Sequence, residues 1–380
     1  MVFIEQLVAQ PLWEYDSDLL VAAVNEAYQI WRTNPTFTAV CKAYDSPEKI
    51  KEPEDFRKIR PIAQKTFKGN PDPLIIGDRE GIRYILSSAT TTGINSRVPR
   101  NPESRERLKK IYFQASEDLG VDYTALLAPD PTKPGVPPTA VFLYADWGMG
   151  NTPHDHLLSF DPETRKPIMD PAKVIEKLNE HSEKKMIMSV PFLVLGVYGF
   201  MRKSGIKVDM GDGLVFTVGG WKGYDKPIPT PQFSGLVKKE FAASHIDGYS
   251  AAELITPAWS RPKCNAEKKH IPSKAFVYTA NIQKYIDEGV IEPTKSYEAG
   301  LAVFVDPLNT TTPGATLMDD IIKVEHENKC EPCGIRGPTL EFVNRVKDAD
   351  QRTSEGCGRR MAKDTEIIGM NPSEIEKLLF

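Results

Sequence analysis

The sequence predicts an α/β protein, because segments with the pattern of strands alternate along the chain with segments that have the pattern of helices. Hydrophobic residues make up 40% of the 380 residues and charged residues 26%, so a large core can form in a globular protein of this length. The formal net charge is −4, which leaves no general basic surface for nucleic acid.

Two segments carry helix-start signals. Residues 16–32 are predicted to form a helix that Asp16 or Ser17 caps. Another helix is predicted to begin at Asp170, its cap, with Pro171 at the first helical position. The apolar residues of the first helix lie roughly on one face; they are Leu19, Leu20, Ala23, Ala27 and Ile30.

The longest apolar stretch, residues 186–201, is interrupted by Ser189 and Pro191 and falls short of the roughly 20 residues that a membrane span requires. It is therefore predicted to be a buried helix. A further helix is predicted over 230–244. Strands are predicted over residues 139–145, 213–220, 245–249, 275–280 and 301–306.

The charged C-terminal segment follows Gly337 and Pro338, which divides the chain into a large domain over 1–340 and a short subdomain over 341–380. The N-terminal segment carries Glu5 and lacks a basic start and a cleavage site, so no signal peptide is expected. Five cysteines, an odd number in a long chain without export signals, favour a reducing cytoplasm.

The segment 87–97, SSATTTGINSR, is rich in small and hydroxylated residues and follows the apolar residues RYIL. Backbone amides and hydroxyls in such a turn can bind a phosphate; an ordinary polar loop is the alternative. Neither a Walker lysine pattern nor a GxGxxG motif is present, which excludes the usual nucleotide loops.

Later segments favour a nucleotide site. Gly219 and Gly220 directly follow a predicted strand, where a ligand can approach the backbone closely. Tyr249 and Glu253 stand four residues apart after another strand; the ring can stack on a base, and the carboxylate can hold Mg²⁺. Asp320 lies before an apolar run and offers a carboxylate to ribose hydroxyls.

In this order the segments resemble the motifs of the adenylate-forming enzymes, which activate carboxylates with ATP. The tyrosine and glutamate of the Y-G-x-T-E block match Tyr249 and Glu253. The T-G-D block matches residues 318–320, Met-Asp-Asp, and the hinge G-R matches residues 344–345, Asn-Arg. The phosphate loop departs from the pattern S-G-T-T-G-x-x-S/K, since aligning Gly93 and Ser96 places Ala89 and Thr90 at its first serine and glycine.

Within this superfamily the chain resembles the LuxE-type acyl-protein synthetases, the synthetase component of the bacterial bioluminescence fatty-acid reductase. The resemblance spans nearly the whole chain and rests on RPIAQKTFK at 60–68, GGWK at 219–222, the double aspartate of LMDDIIKV, and a chain end soon after NPSEIEKLL. It implies an adenylate-forming fold with a large N-terminal domain and a truncated C-terminal subdomain.

The resemblance also implies an ATP- and Mg²⁺-dependent ligase that converts a fatty or aromatic acid to an acyl-adenylate and then to a thioester. The acceptor would be a cysteine of this chain, CoA, a carrier protein or an acyl-CoA-reductase-like partner. An acid–CoA ligase, an amide-forming adenylating enzyme and a degenerate nucleotide-binding protein stay open as alternatives.

In such an enzyme Glu253 would hold Mg²⁺, Asp320 and Arg345 would bind the ribose, and Tyr249 would lie against the adenine. The alternatives are a helix-start carboxylate for Glu253, a core position for Tyr249 and a surface ion pair for Arg345. The adenine would also contact Gly219, Gly220 and Trp221, and the phosphates would meet Thr90, Thr91, Thr92, Gly93, Ser96 and Arg97.

Full-length relatives continue into a lid domain with a catalytic lysine, whereas nothing follows Phe380 here. Adenylation would then proceed without that lysine, or Lys222 or Lys363 would replace it. In acyl-protein synthetases a cysteine near the C-terminus accepts the acyl group. Cys357 has that position, and its neighbours Arg359, Arg360 and Lys363 favour a thiolate; an incidental surface thiol is the alternative.

Four potential metal ligands occur in two close pairs, Cys264 with His270 and Cys330 with Cys333. Such soft ligands suit tetrahedral zinc, and phenylacetate-CoA-ligase-like relatives carry a similar structural site. Unrelated thiols and a histidine are the alternative. Cys41 is expected to be structural.

His154 and His156 follow the strand predicted over 139–145. They are expected to be solvated loop residues. The alternatives are a role in the acyl pocket or an H-x-H metal site with Asp155 and Asp161 near.

Overall fold

The structure, a computed structural model, describes residues 1–87, 95–161, 163–164, 166–221, 228–326, 329–346, 365–371, 374 and 377. Within this part of the chain, none of the helices combines the length and apolar character needed to cross a bilayer. The helices are α1 (Val2–Ala9), α2 (Ser17–Trp31), α3 (Pro35–Ala43), α4 (Lys65–Lys68), α5 (Pro102–Leu119), α6 (Ala140–Met149), α7 (Pro171–Glu180), α8 (Pro191–Ser204), α9 (Thr230–Phe241) and α10 (Ile282–Glu288), with 3₁₀ helices at Pro53–Lys58 and Asp72–Leu74.

The strands of the described residues form one large sheet and one hairpin. The hairpin consists of β2 (Arg83–Leu86) and β3 (Arg97–Arg100). The sheet contains β1 (Ile62–Ala63), β4 (Tyr123–Pro129), β5 (His154–Phe160), β6 (Pro167–Met169), β7 (Lys185–Ser189), β8 (Leu214–Val218), β9 (Ser244–Tyr249), β10 (Ala258–Trp259), β11 (Lys268–His270), β12 (Phe276–Ala280), β13 (Gly300–Val305), β14 (Ala315–Glu325), β15 (Thr339–Arg345) and β16 (Glu366–Ile367).

The sheet has a parallel part and an antiparallel part. Strands β5, β4, β7, β8 and β9 lie side by side and run parallel. Beyond β9 the order continues β10, β11, β15, β14, β13 and β12, with every neighbouring pair antiparallel, and β1 pairs with β14. The chain therefore joins a parallel α/β part to an antiparallel part at strand β9.

Helices cover both faces of the parallel part, because residues along its strands alternate between two cores. Leu126 and Met186 belong to the core that α1, α2, α5 and α6 pack against, whereas Ala125 and Ile187 belong to the core under α7, α8 and α9. All residues of β4 and β7 are buried, as expected of parallel strands covered on both faces. The mixed α/β class predicted from the sequence is confirmed.

The capped helices are confirmed at their predicted starts. Asp16 accepts a hydrogen bond from the Leu19 amide at the start of α2, over 2.9 Å. Asp170 accepts from the amides of Ala172 and Lys173, and Pro171 is the first residue of α7. The buried face of α2 is shifted slightly from the prediction: it consists of Leu20, Ala23, Val24, Ala27, Tyr28 and Trp31, while Leu19 and Ile30 are half-buried.

The strand predicted over 139–145 is wrong, since these residues begin helix α6. A short apolar run such as TAVFLYA has no periodicity that separates a strand from a buried helix. The helix continues through residues 146–149 and ends at Gly150, so the predicted segment was too short to reveal the helical period.

The single helix predicted over 186–201 is also wrong in its first part. The stretch divides into strand β7, which ends at Ser189, and helix α8, which begins at Pro191. Proline disfavours helical backbone at the preceding residue and suits the first turn of a helix, so Pro191 separates the two elements. The other predicted strands and helix correspond to β8, β9, β12, β13 and α9. The boundary predicted at residue 340 falls within β15, and the proposed division of the chain stays a prediction.

Candidate functional site

A crevice opens where the parallel strands end. From β4 the chain goes to β5 on one side, then crosses to β7 on the other side, so the direction of strand order reverses beside β4. Ligands of open α/β sheets bind outside the carboxyl ends of the strands, and this crevice lies at the carboxyl ends of β8 and β9. The crevice has a volume of about 590 Å³ and is lined by Gly219, Gly220, Trp221, Tyr249, Ser250 and Arg345, among others.

Three predicted residues meet in a buried polar network at the wall of this crevice. The Tyr249 hydroxyl donates to Oδ2 of Asp320 over 2.8 Å, although the residues are 71 positions apart. The Arg345 Nε donates to Oδ1 of the same carboxylate over 2.7 Å. Asp320 and Arg345 face each other directly across β14 and β15. The sequence prediction that places these residues in one site is consistent with this geometry.

The network bears on two alternatives from the sequence analysis, a surface ion pair for Arg345 and a core position for Tyr249. Arg345 forms an ion pair, yet its side chain is only 12% exposed and that of Asp320 only 2%, so this is a buried pair rather than a surface one. The ring of Tyr249 stacks on Phe304 with centroids 5.8 Å apart, and the residue belongs to a hydrophobic cluster. Burial, with the neighbouring Asp320, raises the pKa of Tyr249 well above its ordinary value, so its hydroxyl stays protonated and donates. Tyr249 is thus both a core residue and part of the crevice wall.

Glu253 lies in a recess of about 100 Å³ that adjoins the crevice, here called the Glu253 recess. Its side chain is buried, and Oε1 accepts from Nε2 of Gln64 over 3.1 Å. Oε2 is buried and has no hydrogen-bond partner among the described residues. The carbonyl of Ala252 beside it accepts from Arg100 over 2.9 Å, which holds the turn in place. A buried carboxylate oxygen in this situation suits a cation, so the residue fits the predicted role.

The glycine turn after β8 forms another wall of the crevice. Gly219 and Gly220 have φ of 78° and 56°, a backbone region that favours glycine. A side chain at Gly220 would meet nothing within 4 Å, so the backbone borders open space. The Trp221 ring packs edge-on against Phe233 with centroids 5.6 Å apart. The turn therefore exposes peptide groups to a ligand.

The ends of the threonine-rich segment are described, and they meet. The Ser87 amide donates to the Ser96 carbonyl over 3.0 Å, and the Ser96 amide donates to the Ser87 hydroxyl over 2.8 Å. Both serines line the Glu253 recess. Arg97, in β3, lies over the ring of Tyr84 with a distance of 4.6 Å to the centroid. The predicted residues Thr90, Thr91, Thr92, Gly93, Lys222, Cys357 and Lys363 lie outside the described residues.

Sequence reasoning gave no role to two residues of helix α4 and its cap. Gln64, the cap residue, binds Glu253 and also accepts from the Asp319 amide over 3.2 Å. Lys68 lines the Glu253 recess, and its ammonium group lies 3.3 Å from the carboxylate of Asp319. Both residues belong to the segment RPIAQKTFK, which supported the resemblance but contains no recognisable catalytic spacing.

An apolar pocket extends inward from the same place, between α5, α6 and the sheet. It shares Tyr112, Tyr144, Met188 and Ser250 with the Glu253 recess, so the two spaces are continuous. Its volume is about 40 Å³, and its deeper walls carry no charged side chain among the described residues. These walls are formed by Ala115, Leu119, Gly148, Met149, Met186, Phe216 and Trp259.

The predicted cysteine and histidine ligands converge in a second place, here called the thiol cluster. The sulfur of Cys264 lies 3.5 Å from the Cys330 sulfur and 3.5 Å from Nε2 of His270. The Cys333 sulfur lies 3.5 Å from the same nitrogen. One ligand atom from each of the four residues lies within 4.8 Å of all the others. Ligands of one tetrahedral zinc ion are about 3.6 Å apart, so the spacing fits.

His270 is chemically suited to such a cluster. Burial, followed by the nearby cations of Arg261 and Lys268, lowers its pKa to about 4. The ring is therefore neutral at physiological pH, as a metal ligand must be. The cluster connects the segment after β10 with the one before β15, through the pairing of β11 and β15.

His154 and His156 are not loop residues, so the expectation of solvated loop histidines is wrong. They lie at alternate positions of strand β5 and are partly buried. Alternate residues of a strand point to the same face, and Asp146 of α6 lies on that face beside them. Neither Asp155 nor Asp161 belongs to this group: Asp155 accepts from the Tyr123 hydroxyl, and Asp161 accepts from nearby backbone amides.

The chain matches the family model of the acyl-protein synthetase LuxE over residues 14–365. Among solved structures it is similar to 2-hydroxyisobutyryl-CoA ligase in complex with 2-HIB-AMP and CoA, with a TM-score of 0.68 and 13% sequence identity. That superposition covers 87% of this chain and 70% of the other. The predicted adenylate-forming fold is confirmed by this likeness.

Two further structures are more distantly similar. One is a long-chain-fatty-acid-CoA ligase, FadD1, from Archaeoglobus fulgidus, with a TM-score of 0.44, 13% identity, and coverage of 70% of this chain and 51% of the other. The other is the luciferase-like enzyme of the mealworm Zophobas morio, with a TM-score of 0.46, 11% identity, and coverage of 72% and 60%. This chain thus spans only part of either enzyme. No curated protein matches the sequence.

Proposed function

The chain belongs to the LuxE acyl-protein synthetase family and is an adenylate-forming ligase, and from that premise we propose how its crevice activates a carboxylic acid and passes it to a thiol. The observation that carries the proposal is the convergence of the Tyr249–Asp320–Arg345 network, the glycine turn and Glu253 around one space. This convergence supports a site in which these residues would hold the nucleotide beside a cation.

The proposed reaction has two steps. An oxygen of the acid attacks the α-phosphorus of ATP, the α–β bridging bond breaks, and pyrophosphate leaves. A thiolate then attacks the acyl carbon and forms the thioester, while the bond to AMP breaks and AMP leaves. Because charge develops on phosphate oxygens in the first step, preorganised donors and a cation are needed around them.

Asp320 and Arg345 would hold the ribose. The carboxylate of Asp320 accepts from Tyr249 and from Arg345. A carboxylate has about four lone-pair sites, so ribose hydroxyls could join or replace these donors. The two protein donors fix the carboxylate in one orientation before the nucleotide binds, which lowers the entropic cost of binding. The adenine would lie between the ring of Tyr249 and the turn of Gly219 and Gly220.

Glu253 would hold Mg²⁺ with the ATP phosphates. Its Oε2 is buried without a partner among the described residues and faces a recess lined by Ser87 and Ser96. Hard carboxylate oxygens suit Mg²⁺, which keeps most of its waters and binds through one or two carboxylates plus phosphates. The bound ion would neutralise charge on the phosphates as pyrophosphate leaves.

Lys68 is our candidate for a cation beside the reacting phosphates. It lines the recess that contains Glu253, Asp320 and Arg345, on the short helix α4. Its ammonium group lies 3.3 Å from the carboxylate of Asp319, and the two side chains are 14% and 37% exposed. A phosphate or carboxylate oxygen of the substrates would bring a further negative charge to this ammonium group. Lys222 and Lys363 remain the sequence-based candidates.

The acid would place its side chain in the apolar pocket. This pocket continues from the Glu253 recess and is closed by α5, α6 and Trp259. Its small volume and aromatic walls favour a compact aromatic or short apolar chain over an extended fatty acyl chain. One methylene in such a pocket changes binding by roughly 1–3 kcal/mol, so selection by size would be sharp.

The thiol acceptor is a separate part of the proposal. Cys357 is the candidate within the chain, and CoA, a carrier protein or an acyl-CoA-reductase-like partner would be the external acceptor. We also propose that the thiol cluster binds a structural Zn²⁺ through Cys264, His270, Cys330 and Cys333. None of the described cysteines forms a disulfide, which is consistent with the cytoplasmic location that we propose.

The experiment is ATP–pyrophosphate exchange against aromatic acids and fatty acids of increasing length. We expect exchange with compact apolar acids. Met149→Ala should deepen the apolar pocket, so that acids longer by several carbons also support exchange. Labelled acid with and without CoA then identifies the acceptor, and Cys357→Ala separates self-acylation from transfer to CoA. Absence of exchange with every acid, in protein that binds ATP, would contradict the proposed function.

A further inference from the structure

Asp146, His154 and His156 form a group outside the crevice that the ligase reaction does not use. One nitrogen of each histidine and one carboxylate oxygen lie within 4.8 Å of one another. Nε2 of His156 is 3.2 Å from Oδ1 of Asp146, and the two imidazole rings are 5.4 Å apart. The His156 and Asp146 side chains are 14% and 24% exposed, so an ion from solvent could reach them.

The backbone determines which nitrogen of each ring faces the group. Nδ1 of His154 lies 2.8 Å from the Thr152 carbonyl, and Nδ1 of His156 lies 3.4 Å from the Ala128 carbonyl. A carbonyl oxygen only accepts, so Nδ1 of His154 carries the hydrogen and its neutral ring presents the lone pair of Nε2. This hydrogen bond from the outer nitrogen to a carbonyl is the usual support of a metal-binding histidine. In the ion-free protein Nε2 of His156 carries a proton and donates to the Asp146 carboxylate, and a bound cation would replace that proton.

Three potential ligand atoms converge on one point, the Nε2 atoms of the two histidines and a carboxylate oxygen of Asp146. The proton that Nε2 of His156 shares with Asp146 lies where a cation could bind, because a metal ion can replace a proton between an imidazole and a carboxylate. Two imidazoles and one carboxylate are the donor set of zinc sites with open positions and of related divalent metals.

We propose that Asp146, His154 and His156 bind a divalent cation of the zinc class at the junction of α6 and β5. Ligand atoms of one tetrahedral ion at about 2.0–2.1 Å are roughly 3.4 Å apart. The observed spacing therefore requires only small side-chain rotations of partly exposed residues. The site differs from the thiol cluster in position and in donor type, and it does not depend on the ligase activity.

The ion would join helix α6, which forms a wall of the acid pocket, to strand β5. Tyr144 of α6 lines both the Glu253 recess and the apolar pocket, and Asp146 lies two residues farther along the same helix. A bond from Asp146 through the ion to two residues of β5 would fix α6 against the sheet. The cation is thus expected to stabilise the wall of the pocket.

The test uses Co²⁺ alone as the probe, with the full-length chain stripped of metal. Equilibrium dialysis and absorption spectra distinguish the two sites, because cobalt–thiolate bonds give charge-transfer bands that an imidazole–carboxylate site lacks. We expect one ion per chain without thiolate bands in addition to any ion in the thiol cluster. We expect His154→Ala and Asp146→Asn each to lose that ion and the metal-dependent rise in melting temperature.

Asp155→Asn is the matched control, since Asp155 is the adjacent carboxylate on β5 and binds Tyr123 instead. It should keep the ion. Equal cobalt content and equal metal-dependent stabilisation in the wild type, His154→Ala and Asp146→Asn would overturn the proposal. If His154→Ala does not fold, Asp146→Asn decides the question, because asparagine preserves the size of the side chain on the partly exposed helix face.

Discussion

Asp320 and Arg345 occupy directly opposed positions on β14 and β15, and the guanidinium Nε donates to the carboxylate over 2.7 Å in a nearly solvent-free place. A buried ion pair of this kind is costly to break, because the remaining charge has no compensation. The third member, Tyr249, contributes a neutral hydrogen bond to the same carboxylate. The network is therefore expected to serve both stability and nucleotide binding.

The first prediction compares the two interactions of that carboxylate. Asp320→Asn removes the carboxylate that is hydrogen-bonded to the buried Arg345 and should lower the free energy of unfolding by about 3 kcal/mol. Tyr249→Phe removes a single hydrogen bond and should cost about 1 kcal/mol. Urea unfolding measures both, and ATP binding should weaken more in Asp320→Asn. Equal stability of the two variants would contradict the interpretation of a buried charge pair.

The second prediction concerns the cation ligand. Glu253→Gln keeps the bond geometry near Gln64 but removes the charge, so pyrophosphate exchange should fall roughly 100-fold. The concentration of Mg²⁺ needed for half-maximal exchange should rise. Glu176→Gln is the control, because it makes the same change at an exposed residue of α7. It should leave the exchange rate and the Mg²⁺ requirement unchanged. An unchanged Mg²⁺ dependence in Glu253→Gln would assign this residue to structure alone.

The third prediction tests the cation on α4. Lys68→Ala should lower the rate of exchange at least tenfold, about 1.4 kcal/mol in the barrier, because a positive charge beside the phosphates is lost. Lys65→Ala is the matched control, since Lys65 belongs to the same helix and is exposed. Lys68→Arg should recover part of the rate. Similar rates for the two alanine variants would leave Lys222 and Lys363 as the candidates.

The fourth prediction concerns the thiol cluster. Removing bound zinc with a chelator should lower the free energy of unfolding by roughly 3 kcal/mol if the free ion was about 100-fold above its Kd. Cys330→Ser should lose the ion and show no further response to the chelator. Cys41→Ser removes a thiol that lies next to Tyr28 and should keep the zinc content. Zinc content that is unaffected by Cys330→Ser would exclude this cluster.

The fifth prediction is a pH dependence. His245 lines the crevice and is held by Thr217 and Ser234, each at 2.8 Å. Burial lowers its pKa from 6.5 to about 4, so between these values the unfolded chain binds more protons than the folded chain. Stability should consequently fall as the pH drops from 6.5 towards 4.

The variant His245→Gln should flatten this part of the stability curve, because glutamine does not titrate. Chemical unfolding at several pH values measures the difference. If the wild type and His245→Gln lose stability in parallel over this range, His245 does not contribute to the pH dependence.

Local signals were read correctly from the sequence where the interaction is itself local. The caps Asp16 and Asp170 bind amides two or three residues away, so their effect is independent of the rest of the fold. Tyr249 and Glu253 were selected by a motif, and the structure places both beside the crevice, while their roles stay predictions. The thiol cluster was predicted from residue types alone, although its two pairs are distant in the sequence, and its zinc stays a prediction.

The failures concern short apolar runs and unremarkable polar residues. Residues 139–145 form a helix because α6 packs on the sheet beside α5, and nothing within the run itself favours that choice. Gln64 and Lys68 gain their positions from the parallel pairing of β1 with β14, which brings a segment of the N-terminal region to the double aspartate. Such a pairing between distant segments leaves no periodic mark on either one.

The sequence by itself determined the α/β class, the family, two helix starts, and five residues of the crevice wall, namely Gly219, Gly220, Trp221, Tyr249 and Arg345. Only the tertiary structure decided that Asp146, rather than Asp155, accompanies the two histidines of β5, and that Arg345 is buried against Asp320. The physical reason is that strand register and helix packing set which distant side chains share a face. These depend on the summed burial of the whole core, whereas caps and motifs depend on a few neighbouring residues.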